Sequence, residues 1–243
     1  MIKQYTDVEL ISPNNHGYLA WGRRNKKKYK GYKDSKKYKK DPFESDYQKE
    51  IRKWEHVMRS LLSKLTCEDE RRILKYTEHN IGTGYREIDF IAKPDANTLI
   101  FCEFKLKDRY KLNIGSKESG WSQLNKSISI AKNSYDHLSG LSICVDMSHV
   151  YALQSAVNID TFDSYMDIPK YLLPSSGKRI IWLDSTEIAR LAVEFNILTD
   201  SQIDTMALLF RQKNDPMSLL DSNQEGGFYN TPFDKLRSLK LNK

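Results

Sequence analysis

The stretch Glu87-Ile88-Asp89-Phe90-Ile91-Ala92-Lys93-Pro94-Asp95-Ala96-Asn97-Thr98-Leu99-Ile100-Phe101-Cys102-Glu103-Phe104-Lys105 decides the fold. Two apolar-rich runs, Glu87–Lys93 and Leu99–Lys105, flank a turn-forming break, a pattern that predicts a β-hairpin. Pro94 cannot donate to a strand ladder, so the simplest pairing sets Lys93 opposite Leu99. Counting back, Ile91 faces Phe101, Asp89 faces Glu103 and Glu87 faces Lys105. Alternation then puts Ile88, Phe90, Ala92, Ile100, Cys102 and Phe104 on one wholly apolar face. The other face carries Ile91, Leu99 and Phe101 near the loop and groups Asp89, Glu103 and Lys105 at the far end.

Carboxylates opposite each other on neighbouring strands have Cβ atoms about 5 Å apart. Unscreened, they repel, and one is driven towards its protonated form. A hard divalent cation removes the conflict: Mg²⁺ (or Mn²⁺) takes one or two carboxylates and completes its shell with water and phosphate oxygens. Lys105 adds a positive charge on the same face, placed to orient or activate a water and to offset charge building on a phosphoryl group.

Outward from the hairpin, Tyr47, Ile51, Trp54, Met58, Leu61 and Leu65 recur at helical spacing and predict an amphipathic helix of about five turns. Glu70–Glu78 reads as a polar or edge element, and Gly82–Gly84 as part of a glycine-rich loop. Leu124, Ile128, Ala131 and Tyr135 predict a helix over 120–134. Leu141–Met147 and Arg179–Leu183 read as strands, and Ile159–Pro174 as an irregular connection. Asp184-Ser185-Thr186-Glu187 opens a helix with its capping Glu three residues on, and Asp200–Arg211 is a further helix. Val8–Ile11 and Tyr18–Trp21 suggest a short hairpin. The order describes a mixed α/β domain over residues 43–212. An N-terminal segment with a basic arm (1–42) precedes it, and a polar tail (213–243) follows.

The Asp89…Glu103-Phe104-Lys105 arrangement resembles the PD-(D/E)xK nuclease superfamily, over roughly Phe43–Phe195. Ile88 stands where the Pro of that motif is often found. Ile180–Leu191 is similar to the closing strand and helix of Mrr-like restriction endonuclease domains, which often carry Gln at the position of Glu103. The resemblance implies a restriction-endonuclease-like core, a mixed central sheet flanked by helices. It implies Mg²⁺-dependent endonucleolytic hydrolysis of DNA, with Asp89 and Glu103 as metal ligands, the Phe104 carbonyl as a third and Lys105 serving the water. Some relatives add an acid from the first helix: Glu50, at the border of its apolar face, is the first candidate and Glu55 the second. Gln123, at the start of the following helix with Lys126 one turn on, matches a Gln that related nucleases turn towards site or substrate.

Charge adds a partner. The chain carries +7, yet Arg23–Lys40 alone carries +10, so the remainder is −3. Its cations include Arg23, Arg24, Lys26, Lys27, Lys28, Lys30, Lys36, Lys37, Lys39 and Lys40, interleaved with Tyr29, Tyr32 and Tyr38. Lysines neutralise phosphates and tyrosines stack on bases, so this arm points to nucleic acid, DNA first with RNA fitting the same chemistry. A solubility tail is the plain alternative. Arg86, with His79 and Tyr85, lies where it can approach backbone phosphates, and Glu87 is placed to hold Lys105. Trp121 and Trp182 read as core.

Several classes are set aside. Cys67, Cys102 and Cys144 are odd in number and far apart, the pattern of reduced thiols in a cytoplasmic protein rather than a zinc site. No His pair has zincin spacing, no phosphate loop is present, and no apolar run approaches the ~18 residues of a membrane span. The leading expectation is a metal-dependent endonuclease in restriction, phage defence, repair or mobile-element function, as a homodimer or in a larger complex where both strands are cut. The alternative is a non-catalytic nucleic-acid-binding adaptor on a nuclease-like fold.

Overall fold

The computed structural model describes residues 5–34, 42–107, 113–147, 162–173 and 176–205, with side chains omitted for 26–34 and 42–51. The tail from 206 and Lys36, Lys37, Lys39 and Lys40 of the arm lie outside the described residues.

Two sheets organise the chain. Strands β1 (Tyr5–Ile11), β3 (Ile73–Glu78) and β4 (Gly82–Glu87) form an antiparallel sheet in that order. Strands β2 (Cys67–Glu68), β5 (Phe90–Lys93), β6 (Thr98–Lys107), β7 (His137–Asp146) and β8 (Ile180–Asp184) form the larger one. Its β2–β5–β6 part is antiparallel and β6–β7–β8 is parallel, so the sheet is mixed. A parallel pair needs a crossover, and helix α3 (Trp121–Ala131) supplies it between β6 and β7. Helices α2 (Pro42–Leu65), α4 (Ile168–Tyr171, after a 3₁₀ turn at Tyr165–Asp167) and α5 (Ser185–Glu194) complete the domain with α1 (His16–Asp34).

The large sheet is buried on both faces. Phe90, Ala92, Ile100, Cys102, Phe104, Leu141, Ile143, Val145, Ile181 and Leu183 share one core with Trp54, Met58, Leu61 and Leu62 of α2 and Ile188 and Leu191 of α5. Ile91, Leu99 and Phe101 join a second core with Leu124, Ile130 and Ala131 of α3 and Leu10, Leu74 and Tyr76 of the small sheet. The Tyr165 hydroxyl donates to the Leu61 carbonyl at 2.6 Å, tying the 3₁₀ turn to α2.

The hairpin register agrees with the sequence: Ile91 pairs with Phe101 and Ala92 with Ile100. Asp95 builds the turn by accepting the Asn97 and Thr98 amides and the Thr98 hydroxyl. One expectation fails. Glu87–Lys93 is not one strand, because the chain switches sheets at Ile88–Asp89. Glu87 pairs with Ile73 in the small sheet, and the Ile88 amide still donates to the Arg72 carbonyl at 2.9 Å. Phe90 then enters the large sheet. Bends of this kind make corners between crossing sheets. Ile88 therefore sits in the α3-side core rather than with Phe90, and Glu87 does not face Lys105.

The N-terminus departs from the expected hairpin as well. Tyr18–Trp21 is helical, because the Asn15 side chain accepts the Gly17 and Tyr18 amides and starts α1. β1 pairs with β3 instead, so the segment 1–42 contributes a strand to the folded unit. Gly82–Gly84 is strand rather than loop, reached through a turn with Asn80 and Gly82 at positive φ. Gly84 is required there, since a Cβ would lie 2.6 Å from the Tyr76 ring. At α5, Asp184 caps the Thr186 amide, while Glu187 reaches instead to Ser164 and the Tyr165 amide.

Candidate active site

Asp89 stands at the corner between the two sheets. Its carboxylate accepts the Phe104 amide at 2.8 Å, a bond that the backbone of Ile88 would have made had the ladder continued in register. A strand residue points its N–H and C=O to the same side. The Phe104 carbonyl therefore also faces the edge that β5 vacates. Glu103, only 7% exposed, comes from the opposite side of the same β6 segment and accepts Lys105 Nζ at 2.7 Å.

These groups floor an open cleft of about 460 Å³ lined by Arg52, Glu55, Arg59, Arg86, Glu87, Asp89, Glu103 and Gln123. Arg86 spans from β4 to α3, donating to the Ser127 hydroxyl at 3.1 Å and the Gln123 carbonyl at 3.2 Å. Arg59 reaches the Asp89 carbonyl at 3.5 Å. Four acids thus sit among three arginines, none of which forms a carboxylate ion pair among the described residues.

Burial pushes the Asp89 carboxyl up to about 6, and the Glu103 charge adds to the rise. The Phe104 amide and Lys105 pull the other way. Glu55 is likewise raised, first by burial and then by the charge of Asp89. Like charges crowded in a half-buried cleft are what a cation would relieve.

Above the pair lies the turn 116–120. Gly120, at φ 81°, packs so closely that a Cβ would lie 2.7 Å from Glu103 Cγ and 2.7 Å from Lys105 Cε. Buried hydroxyls hold the turn in place: Ser142, the β7 partner of Glu103, donates to the Ser119 carbonyl, and Ser119 donates to the Ser116 carbonyl.

Asp89, Glu103, Lys105, Arg86 and Gln123 are therefore brought together, and Phe104 presents its backbone to them. Glu55 is an α2 acid that lines the cleft, while the Glu50 side chain lies outside the described residues. Arg23 and Arg24 are exposed on α1, which also carries Lys26, Lys27, Lys28 and Lys30 on its backbone. Arg52 and Arg59 were not expected. Their signal was present in the spacing Arg52–Glu55–Arg59, three and four residues apart and so on one side of α2.

Among the described residues no group of three or more His, Cys, Asp or Glu side chains is arranged to hold a metal ion. Two carboxylates and a main-chain carbonyl remain, a sparse oxygen set that suits Mg²⁺, which keeps several waters. Comparison with models of known families, with curated proteins and with solved structures finds no match to this chain. No described helix is long and apolar enough to cross a membrane.

Proposed function

We propose that the chain is a metal-dependent nuclease with a restriction-endonuclease-like core, hydrolysing phosphodiester bonds of DNA in the cleft between the two sheets. The observation that carries this reading is the Asp89–Glu103 pair, with Asp89 raised in pKa by burial and by the Glu103 charge, Lys105 on Glu103 and the Phe104 backbone at the same edge.

Asp89, Glu103 and the Phe104 carbonyl would hold a Mg²⁺ or Mn²⁺ ion, which supplies positive charge to the phosphoryl transition state. Lys105 orients the attacking water. The water oxygen bonds to phosphorus, its proton leaves to solvent, and the P–O ester bond breaks with the electron pair passing to the departing oxygen. Arg52, Arg59 and Arg86, which line the cleft, would bind phosphate oxygens through their guanidinium groups. The α1 cations extend the same attraction along a duplex.

End-labelled duplex DNA, single-stranded DNA and RNA, each incubated with Mg²⁺, Mn²⁺ or EDTA, test the substrate class. Cleavage of DNA with either ion and none in EDTA is expected. Binding of DNA with no cleavage of any of the three would favour a non-catalytic adaptor.

A further inference from the structure

A second cavity lies across α3 from the cleft, with a volume of about 330 Å³. Its lining couples aromatic faces to cations. Arg179 sits over the Trp121 ring, 5.5 Å from its centroid, and Lys178 sits 5.3 Å from the Tyr171 ring centroid. Asn125 and Ser139 add polar groups at the wall. The floor is Gly140, where a Cβ would lie 2.8 Å from Ile128 Cδ1.

The two cations are not equivalent. Asp163 accepts Lys178 Nζ at 3.0 Å and the Tyr171 hydroxyl at 2.9 Å, fixing that wall and cancelling much of the lysine's charge. No carboxylate pairs with Arg179 among the described residues, and its side chain is exposed. The cavity therefore offers one net positive charge among two aromatic rings, each with a cation over it that a base could stack against or displace, the chemistry that holds a planar base with its phosphate.

Its position gives the base a source. Trp121 directly follows Gly120, whose backbone packs on Glu103 and Lys105. Gly140 lies two residues before Ser142, the β7 partner of Glu103. Two strand residues advance about 6.6 Å and one strand step about 4.8 Å, so the floor is about 8 Å from the Glu103 backbone. A strand leaving the cleft over the N-terminal turn of α3 reaches this cavity within about one or two nucleotides.

We propose that this cavity, walled by Trp121, Tyr171 and Arg179, is a nucleotide subsite that stacks a base of the substrate strand beside the cleaved bond. The proposal rests on the nuclease reading for its strand but not for its binding chemistry. Trp121, which packs against the α3-side core as the sequence expects, is then a stacking platform as well.

The test uses the full chain in EDTA, so it needs neither metal nor cleavage. Indole N–H resonances are followed by NMR while 5′-deoxyadenosine monophosphate is added, with deoxyadenosine and inorganic phosphate as separate arms. The nucleotide should shift the Trp121 indole saturably, and each half alone should do so more weakly. Arg179→Ala, an exposed change that spares the fold, should weaken the nucleotide roughly tenfold. A short single-stranded oligodeoxynucleotide should shift Trp121 and Gln123 together. No shift at Trp121, an equal shift with phosphate alone, or unchanged affinity in Arg179→Ala would overturn the subsite. An oligonucleotide that moves Trp121 but not Gln123 would overturn its place on the substrate strand. A chain that gives the nucleotide shift yet cleaves no DNA in a separate incubation with Mg²⁺ or Mn²⁺ would instead count against the nuclease reading.

Discussion

The Asp89 carboxylate takes the Phe104 backbone amide at 2.8 Å, standing in for the strand neighbour that β5 stops short of providing. One side chain thereby seals the end of a ladder and holds its charge within reach of that of Glu103. The hydrogen bond needs an acceptor, whereas the charge is a cost of burial. An amide at this position separates the two.

Asp89→Asn should therefore stabilise the fold in a pH-dependent way. The folded carboxyl titrates at about 6 against a usual value of 3.8. A raised carboxyl binds its proton more tightly folded than unfolded, so its stability is complete below about pH 4 and is lost as pH rises through 6. Asparagine keeps the acceptor and never ionises. Thermal melts should coincide near pH 4 and favour the variant near pH 8, by about 1–3 kcal/mol. A variant less stable at pH 8 would mean that the charge is already compensated.

Gly120→Ala combines strain at φ 81° with a clash onto Glu103 and Lys105. A cost of about 1–3 kcal/mol is expected in denaturant melts. Turnover should fall further than substrate affinity, because Lys105 is displaced. Gly115→Ala is the comparison: it lacks a positive φ and has nothing within 4 Å of the new Cβ. It should be neutral or slightly stabilising. Equal effects of the two changes would show that the turn does not position Lys105.

How far the site could be read depended on the kind of order each part required. Register was legible because Pro94 and Asp95 fix the loop and alternation fixes the faces. The sheet switch was not, since Glu87–Lys93 carries the pattern of one strand and only the neighbouring β3 reveals where Glu87 pairs. The same blindness to partners turned Tyr18–Trp21 into a strand, although Asn15 already carried the helix-starting signal. That Glu55 lines the cleft depended on which side of a long helix meets the corner at Asp89. Helical angle alone does not contain that information.

Glu55→Gln should raise the Mg²⁺ concentration for half-maximal cleavage by about tenfold, the usual scale for a supporting ligand or partner. Glu50→Gln is the direct comparison, read from the same metal titration. The reverse ranking would give the role to Glu50.

Deleting residues 23–40 removes a local charge of +10. Every phosphate that the arm no longer neutralises flattens the slope of log affinity against log salt by about 0.9 on duplex DNA. The truncated chain should bind more weakly at low salt and with a flatter slope, while turnover at saturating DNA changes little. Unchanged affinity and slope would move DNA binding to Arg52, Arg59 and Arg86 in the cleft.

On the proposed reading, Asp89 and Glu103 together would form a metal site for phosphodiester hydrolysis. Supercoiled plasmid incubated with the native chain and with Asp89→Asn, each with Mg²⁺ or Mn²⁺ and with EDTA, tests it most directly. Nicked or linear product from the native chain with either ion, and from no other mixture, is the predicted result. Cleavage by Asp89→Asn at the native rate, or by the native chain in EDTA, would contradict it.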